Sequence, residues 1–287
     1  MTKKLAFVLS GGGSRGALQV GALYALLEGG VKPDFFIGAS IGAVNATFLA
    51  LNGFSKDSLD RLKSAWHKAN TSDLLPANYL WLTLRAMFGR SSTDSSRRLK
   101  DYFITHGITP ELCFAHLEPW KLVIVSTDLN TGQPILHGEE PEEKVLDALL
   151  LSTALPPWFM PVRKQERYLM DGGVVSNLPV EPALKAGATE IVALDLTDSR
   201  ETIGQGDRVR GFLDRLIYSV EKRQLDLEME LANARGIPLL YLDLTGELPV
   251  PIWDFTHTDE LIAQGYKIAR DEIDRQRFSN PILMLDA

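Results

Sequence analysis

The sequence predicts an α/β protein, a three-layer α/β/α sandwich whose central sheet is mainly parallel. Three observations carry that expectation. Leu5-Ala6-Phe7-Val8-Leu9, Phe35-Phe36-Ile37 and Leu122-Val123-Ile124-Val125 are continuous apolar runs, the mark of strands buried on both faces. Helix-length stretches separate the runs, as β-α-β units with right-handed crossovers require. The first two runs each end in a glycine-bearing loop that opens a helix.

In chain order, residues 5–9 form the first strand and 17–27 the first helix, stopped by Gly29-Gly30. Residues 35–37 are the second strand and 41–51 the second helix. Residues 55–69 read as an amphipathic helix with Leu59, Leu62 and Trp66 on one side. The apolar stretch Leu80 to Phe88 fits a core helix better than a lid over an apolar site. A short helix at 97–104, a strand at 121–126 and a hairpin through Thr131-Gly132 into 134–137 follow. Residues 141–151 read as a helix with Glu142 and Glu143 in its first turn, favouring the dipole. The segment 152–161 is an irregular apolar loop with Pro156, Pro157 and Pro161. Then come a strand at 167–170, a helix at 180–186, a strand at 190–196, a flexible loop at 204–206, a long helix at 207–235, a strand at 237–242 and a helix at 259–277. No repeat, low-complexity tract or linker divides residues 1–287, so one domain is expected.

Composition is that of a globular protein: 287 residues, 45% hydrophobic, 23% charged, net charge −7. That charge speaks against a nucleic-acid footprint and against tight binding to anionic membranes. A single cysteine, Cys113, rules out an internal disulfide and a cysteine-based zinc cluster, and reads as a small buried hydrophobe. The apolar run after Met1-Thr2-Lys3-Lys4 is too short for a signal peptide, and nothing approaches the roughly 18 apolar residues of a membrane span. A cytoplasmic protein is expected.

The segment Gly38-Ala39-Ser40-Ile41-Gly42 runs from strand to helix, the setting of a nucleophile elbow. Ser40 is the candidate nucleophile; a serine that merely caps the helix is the competing reading. Gly11-Gly12-Gly13-Ser14-Arg15-Gly16 admits two chemistries. It fits the Gly-x-Gly-x-x-Gly of a dinucleotide site, but that site needs an acid at the end of the second strand, and the nearby acid, Asp34, lies at its start. No Gly-Lys-Ser/Thr follows, which excludes a P-loop. Alternatively Gly11, Gly12 and Gly13 donate N–H groups to the oxyanion formed when Ser40 attacks a carbonyl, with Arg15 adding positive potential or pairing with a surface acid.

A serine needs a base. His67, His106, His116 and His137 read as ordinary surface residues. His257 could complete a Ser-His-Asp triad with Asp171 or Asp243. Asp171, where an apolar strand meets Gly172-Gly173, is the better candidate, because partial burial brings a carboxylate into a useful pKa range.

The ordered set Gly11–Gly16, Gly38–Gly42 and Asp171-Gly172-Gly173 resembles the signatures of the patatin-like phospholipase family. Asn45, the block Thr127-Asp128-Leu129-Asn130-Thr131-Gly132 and Ser152-Thr153-Ala154-Leu155-Pro156 resemble it too. The resemblance spans about residues 5–196. It implies a Ser40–Asp171 dyad without a catalytic histidine, an acyl-enzyme, an oxyanion hole from Gly11, Gly12, Gly13 and Arg15, and hydrolysis of acyl esters in lipids. It implies no cofactor and no metal, an acyl lipid or ester as partner, and room for peripheral membrane contact. Leu155 to Met160 and Leu80 to Phe88 read first as core, and their lack of charge would also suit an acyl pocket better than a sugar or peptide site; the motifs do not separate phospholipase, lysophospholipase and esterase activities.

Overall fold

The computed structural model describes residues 3–70, 93–119, 121–155, 159–198, 200, 208–277 and 279–283. The expectations for residues 80–88 and 204–206, and for Pro156, Pro157 and Trp158, lie outside them.

Eight strands form one sheet. They are β1 (Leu5–Leu9), β2 (Phe35–Ala39), β3 (Lys121–Asp128), β4 (Gln133–His137), β5 (Val162–Lys164), β6 (Arg167–Asp171), β7 (Glu190–Asp195) and β8 (Leu239–Asp243). The order is β5-β6-β3-β2-β1-β7-β8, with β4 also paired to β3. From β3 through β2, β1 and β7 to β8 every pairing is parallel. Strands β4, β6 and β5 add an antiparallel margin. Strand β5 has three exposed residues and no apolar pattern, which is why the sequence did not announce it.

The helices are α1 (Gly16–Glu28), α2 (Ile41–Asn52), α3 (Lys56–Asn70), α4 (Thr93–Thr105), α5 (Val145–Ser152), α6 (Gly173–Ser176), α7 (Val180–Lys185), α8 (Arg208–Ala234) and α9 (Thr258–Gln276). Alternate strand residues feed two cores. Phe7, Leu9, Phe36 and Ile124 pack with α1, α2, α3 and α9 on one face. Ala6, Val8, Phe35, Ile37 and Val125 pack with α7 and α8 on the other. These are the three expected layers, and burial of both strand faces accounts for the unbroken apolar runs.

Helix α5 starts at Val145, later than expected. The carbonyls of Pro141 and Glu143 accept the N–H groups of Ala115 and Phe114, and the Glu143 side chain is bonded to His137, so this stretch serves the neighbouring loop and hairpin. Glu142 and Glu143 therefore precede the helix. At the far side of the molecule α9 crosses α1 at close range: a Cβ on Gly21 would strike the Ile262 carbonyl, and one on Gly265 the Leu18 carbonyl. Cys113 is buried, as expected.

Candidate active site

The carboxyl ends of β1, β2 and β7 lie side by side, and the loops that leave them meet at one crevice, the usual binding place in a parallel α/β sheet. The β2 loop carries Ser40 at φ 52° and ψ −125°, a left-handed conformation that strains a residue with a Cβ. Only glycine allows this turn on either side of it. A Cβ on Gly38 would meet the Gly42 backbone, and one on Gly42 would be driven into the Leu9 carbonyl. Helix α2 then begins directly under the serine.

The glycine loop after β1 is held from several directions. Gln19 donates to the Ser10 carbonyl at 3.0 Å and accepts from Asn45, which in turn accepts from Trp66 Nε1 at 3.0 Å. Ser14 donates its N–H to Ile252 and its hydroxyl to Pro251, each at 2.8 Å. Gly11 donates its N–H to the Asn177 carbonyl at 3.1 Å. That corrects the expected role of Gly11: its donor is spent. Among the described residues the N–H groups of Gly12 and Gly13 have no acceptor, and both glycines line the crevice. Gly11 is instead needed for closeness, since a Cβ there would lie 2.5 Å from Asn177 Oδ1 and 3.1 Å from Ser40 Cβ. Arg15 is buried on the crevice wall with its Nε directed to the Gly12 carbonyl at 3.3 Å.

Asp171 ends β6, buried, with Thr127 Oγ1 donating to its carbonyl at 2.7 Å. Its Oδ1 accepts the Gly173 N–H at 2.8 Å. Burial pushes the carboxyl from 3.8 up to about 7, with the Ser40 side chain and the Gly173 N–H pulling it partly back. Oδ2 is buried and has no hydrogen-bond partner among the described residues.

Ser40, Asp171, Gly12, Gly13 and Arg15 line one cavity of about 480 Å³. Its inner arm follows α2 away from Ser40, past Ile41, Val44 and Phe48, with Leu62, Ala65 and Trp66 of α3 and Leu99, Tyr102 and Phe103 of α4 as facing walls. The direction is fixed by contacts. Leu99 clusters with Leu155, Phe159 and Ile252. The other end of α4 reaches the end of α2, where a Cβ on Gly107 would lie 3.3 Å from Leu51. From Ile41 to Phe48 the helix advances about 10 Å. An outer arm is lined by Val174 and by Leu216, Ile217 and Val220 of α8, the last three about half exposed.

His257 is elsewhere. It is half-exposed off the cavity wall, with Nδ1 2.9 Å from Glu260 and Nε2 3.7 Å from Asp254. Asp34 caps the opposite end of the sheet, accepting the Leu5 N–H at 2.6 Å. His137, expected at the surface, is buried, 2.8 Å from Ser126 Oγ and 2.7 Å from Glu143 Oε1, away from the cavity. Gln19, Asn177 and Glu228 carry no sequence signal, and Trp66 shows only as part of a helix's apolar side. Glu228, pushed by burial to about 7, accepts from Ser176 Oγ at 2.8 Å and anchors α6 to α8.

A serine on a strained strand-to-helix turn, facing a buried carboxylate in an apolar crevice of a parallel sheet, defines the class of α/β proteins with a nucleophile elbow. A family model described as patatin-like phospholipase matches residues 7–184. The chain belongs to the patatin-like phospholipase family. It is 31% identical over 219 residues to patatin-like phospholipase domain-containing protein 7 of Mus musculus, covering 72% of this chain and 15% of that protein. It is 32% identical over 201 residues to protein 6 of the same series in Homo sapiens, covering 69% and 14%. An uncharacterised NTE family protein of Mycobacterium tuberculosis is 26% identical, covering 96% and 47%. The chain thus spans about one seventh of the mammalian relatives and about half of the mycobacterial one. The solved structure of human GIVD cytosolic phospholipase A2 shares the fold, at TM-score 0.58 and 12% identity, over 96% of this chain and 59% of that one. Among the described residues no helix is long and apolar enough to cross a membrane.

Proposed function

We propose that this protein hydrolyses acyl esters of lipids through a Ser40–Asp171 dyad. One observation carries the reading: the strained serine and a buried carboxyl line the same apolar cavity, where burial raises that carboxyl toward neutrality. A base poised near neutrality both takes and returns a proton efficiently. Asp171 receives the Ser40 proton as Oγ bonds to the ester carbonyl carbon. The carbonyl oxygen becomes an oxyanion, held by the N–H groups of Gly12 and Gly13 beside the Arg15 charge. The intermediate collapses, the C–O bond breaks, and Asp171 returns the proton to the leaving alcohol. Asp171 then deprotonates a water that attacks the acyl carbon, the Ser40 Oγ–acyl bond breaks, and Asp171 returns the proton to Oγ, releasing a carboxylic acid and free serine.

The inner arm between α2, α3 and α4 takes the acyl chain, and the outer arm beside α8 takes the alcohol portion. The half-exposed Leu216, Ile217 and Val220 make the mouth apolar on its outside as well, so the same rim rests on the lipid surface that supplies substrate. The His257 triad is disfavoured because that histidine is engaged by surface carboxylates. The nucleotide-binding reading is disfavoured because Asp34 sits at the wrong end of the sheet.

The test is hydrolysis of a chain-length series of acyl esters, followed by phospholipid vesicles, by folded wild type, Ser40→Ala, Asp171→Asn and His257→Ala. Loss in the first two variants and near-wild-type turnover in the third is expected. Activity in Ser40→Ala would overturn the reading, and loss in His257→Ala would restore the triad.

A further inference from the structure

Ser152 is fully buried at the last position of α5, bonded to Ser40 on one side and to the residue after Asp171 on the other. Its Oγ accepts the Ser40 N–H at 3.0 Å and donates to the Val125 carbonyl at 2.6 Å. A hydroxyl has one proton and two lone pairs, so a single Ser152 side chain meets both demands. The place where it does so is informative. Ala39 and Val125 are the last paired residues of the β2–β3 ladder. One residue later Ser40 turns to φ 52°, and its N–H can no longer follow the ladder. The Ser152 hydroxyl is inserted at that break and carries the bond from Ser40 N–H to Val125 C=O.

The same short segment grips the base. The Ser152 carbonyl accepts the Gly172 N–H at 3.4 Å, and the Ala154 carbonyl accepts the Asp171 N–H at 3.2 Å. Gly172 also rests against the Val125 carbonyl that Ser152 bonds, since a Cβ there would collide with it. The end of α5 is therefore a clamp, with its side chain on the nucleophile's backbone and its main chain on the base's.

Resting on the dyad reading, we propose that Ser152 is a positioning residue for the reaction, whose hydroxyl holds Ser40 in its strained turn and sets its distance from Asp171. Removing the hydroxyl leaves the Ser40 N–H and the Val125 carbonyl buried without their partner, and the elbow is free to relax. A misplacement on the order of 1 Å at a reacting atom costs about 100-fold in rate.

The test compares wild type, Ser152→Ala, Ser152→Cys, Ser152→Thr and Ser40→Ala. Active sites are counted by the end point of labelling with a serine-directed fluorophosphonate, and kcat and KM are measured per labelled site on a soluble ester. For Ser152→Ala the expected result is an undiminished end point, labelling and kcat slowed ~10–100-fold, and KM within ~2-fold of wild type. Ser152→Thr, which keeps the hydroxyl, restores kcat to within a few-fold. Ser152→Cys fills the space with a poor hydrogen-bonding group and behaves like alanine; it carries the test by the same criteria if the alanine variant does not fold. A normal kcat per labelled site in the alanine or cysteine variant overturns the proposal, as does a change confined to KM or to the end point. Turnover in Ser40→Ala would instead remove the dyad reading beneath it, so the two failures are distinct.

Discussion

Replacing Asp171 with asparagine is expected to abolish turnover and stabilise the fold in the same stroke. A carboxyl moved from 3.8 to about 7 by burial is protonated in the folded protein at pH values where the unfolded chain has already lost the proton. Stability from this group is full below pH 4 and is lost as pH rises through 7, because over that window the native state binds the extra proton. The whole displacement is worth about 4 kcal/mol, of which about 2.5 kcal/mol falls between pH 5 and pH 8. Asparagine does not titrate, so the variant keeps what wild type loses. Glu228 also has its pKa raised to about 7, but it is present in both proteins and cancels in the difference. At roughly 2 °C per kcal/mol for a chain of this size, the Tm advantage of Asp171→Asn should grow by ~5 °C from pH 5 to pH 8. Differential scanning calorimetry at the two pH values reads this directly. Wild-type kcat/KM should rise over the same interval, to about a tenth of its plateau one pH unit below 7. A Tm difference equal at pH 5 and pH 8, or a kcat/KM already level at pH 5, would refute a neutral buried Asp171.

Gly42→Ala is expected to prevent both fluorophosphonate labelling and normal folding, because its Cβ has nowhere to go but into the Leu9 carbonyl; a labelled, folded variant would refute the elbow geometry. Val44→Phe, one turn along α2 from Ser40, should narrow the inner arm and shift preference toward short acyl chains. Each methylene excluded should cost ~4-fold in kcat/KM on long-chain esters, with acetyl esters little changed. Serine at both Leu216 and Ile217 should weaken co-sedimentation with phosphatidylcholine vesicles ~10-fold or more, since two half-exposed apolar side chains leave the rim together.

The parts of this molecule that depend on local pattern were legible in the residues. Strands β1, β2 and β3 announced themselves as apolar runs, and glycine spacing located the elbow and the Asp171 turn. What escaped notice depends on contacts made across the fold. Gly11 looks like Gly12 and Gly13 in the sequence; only the approach of Asn177, on α6's far side, separates a spent donor from two open ones. His137 resembles a surface histidine until Ser126 and Glu143 close on it. His257 was a reasonable base by chain position, and Asp254 and Glu260, close in sequence, were the signal that it belonged to a surface cluster. Residues 141–144 read as helix because charge at a helix start is a local preference, and in the fold long-range bonds outweigh it.

The seat of the glycine loop has a bearing on inheritance. Ser14 is held by Pro251 and Ile252, and α1, which carries the loop at its head, is locked into α9 by the Gly21 and Gly265 crossing. Pro251, Ile252 and α9 lie beyond residue 184, where the family match stops. Recombination at that boundary would transmit the serine and the aspartate while discarding the part of the glycine loop's seat that Pro251, Ile252 and α9 provide. Helices α1 and α9 must therefore vary as a matched pair, and a relative should carry a small residue where Gly265 stands, in the stretch that follows its match to residue 184.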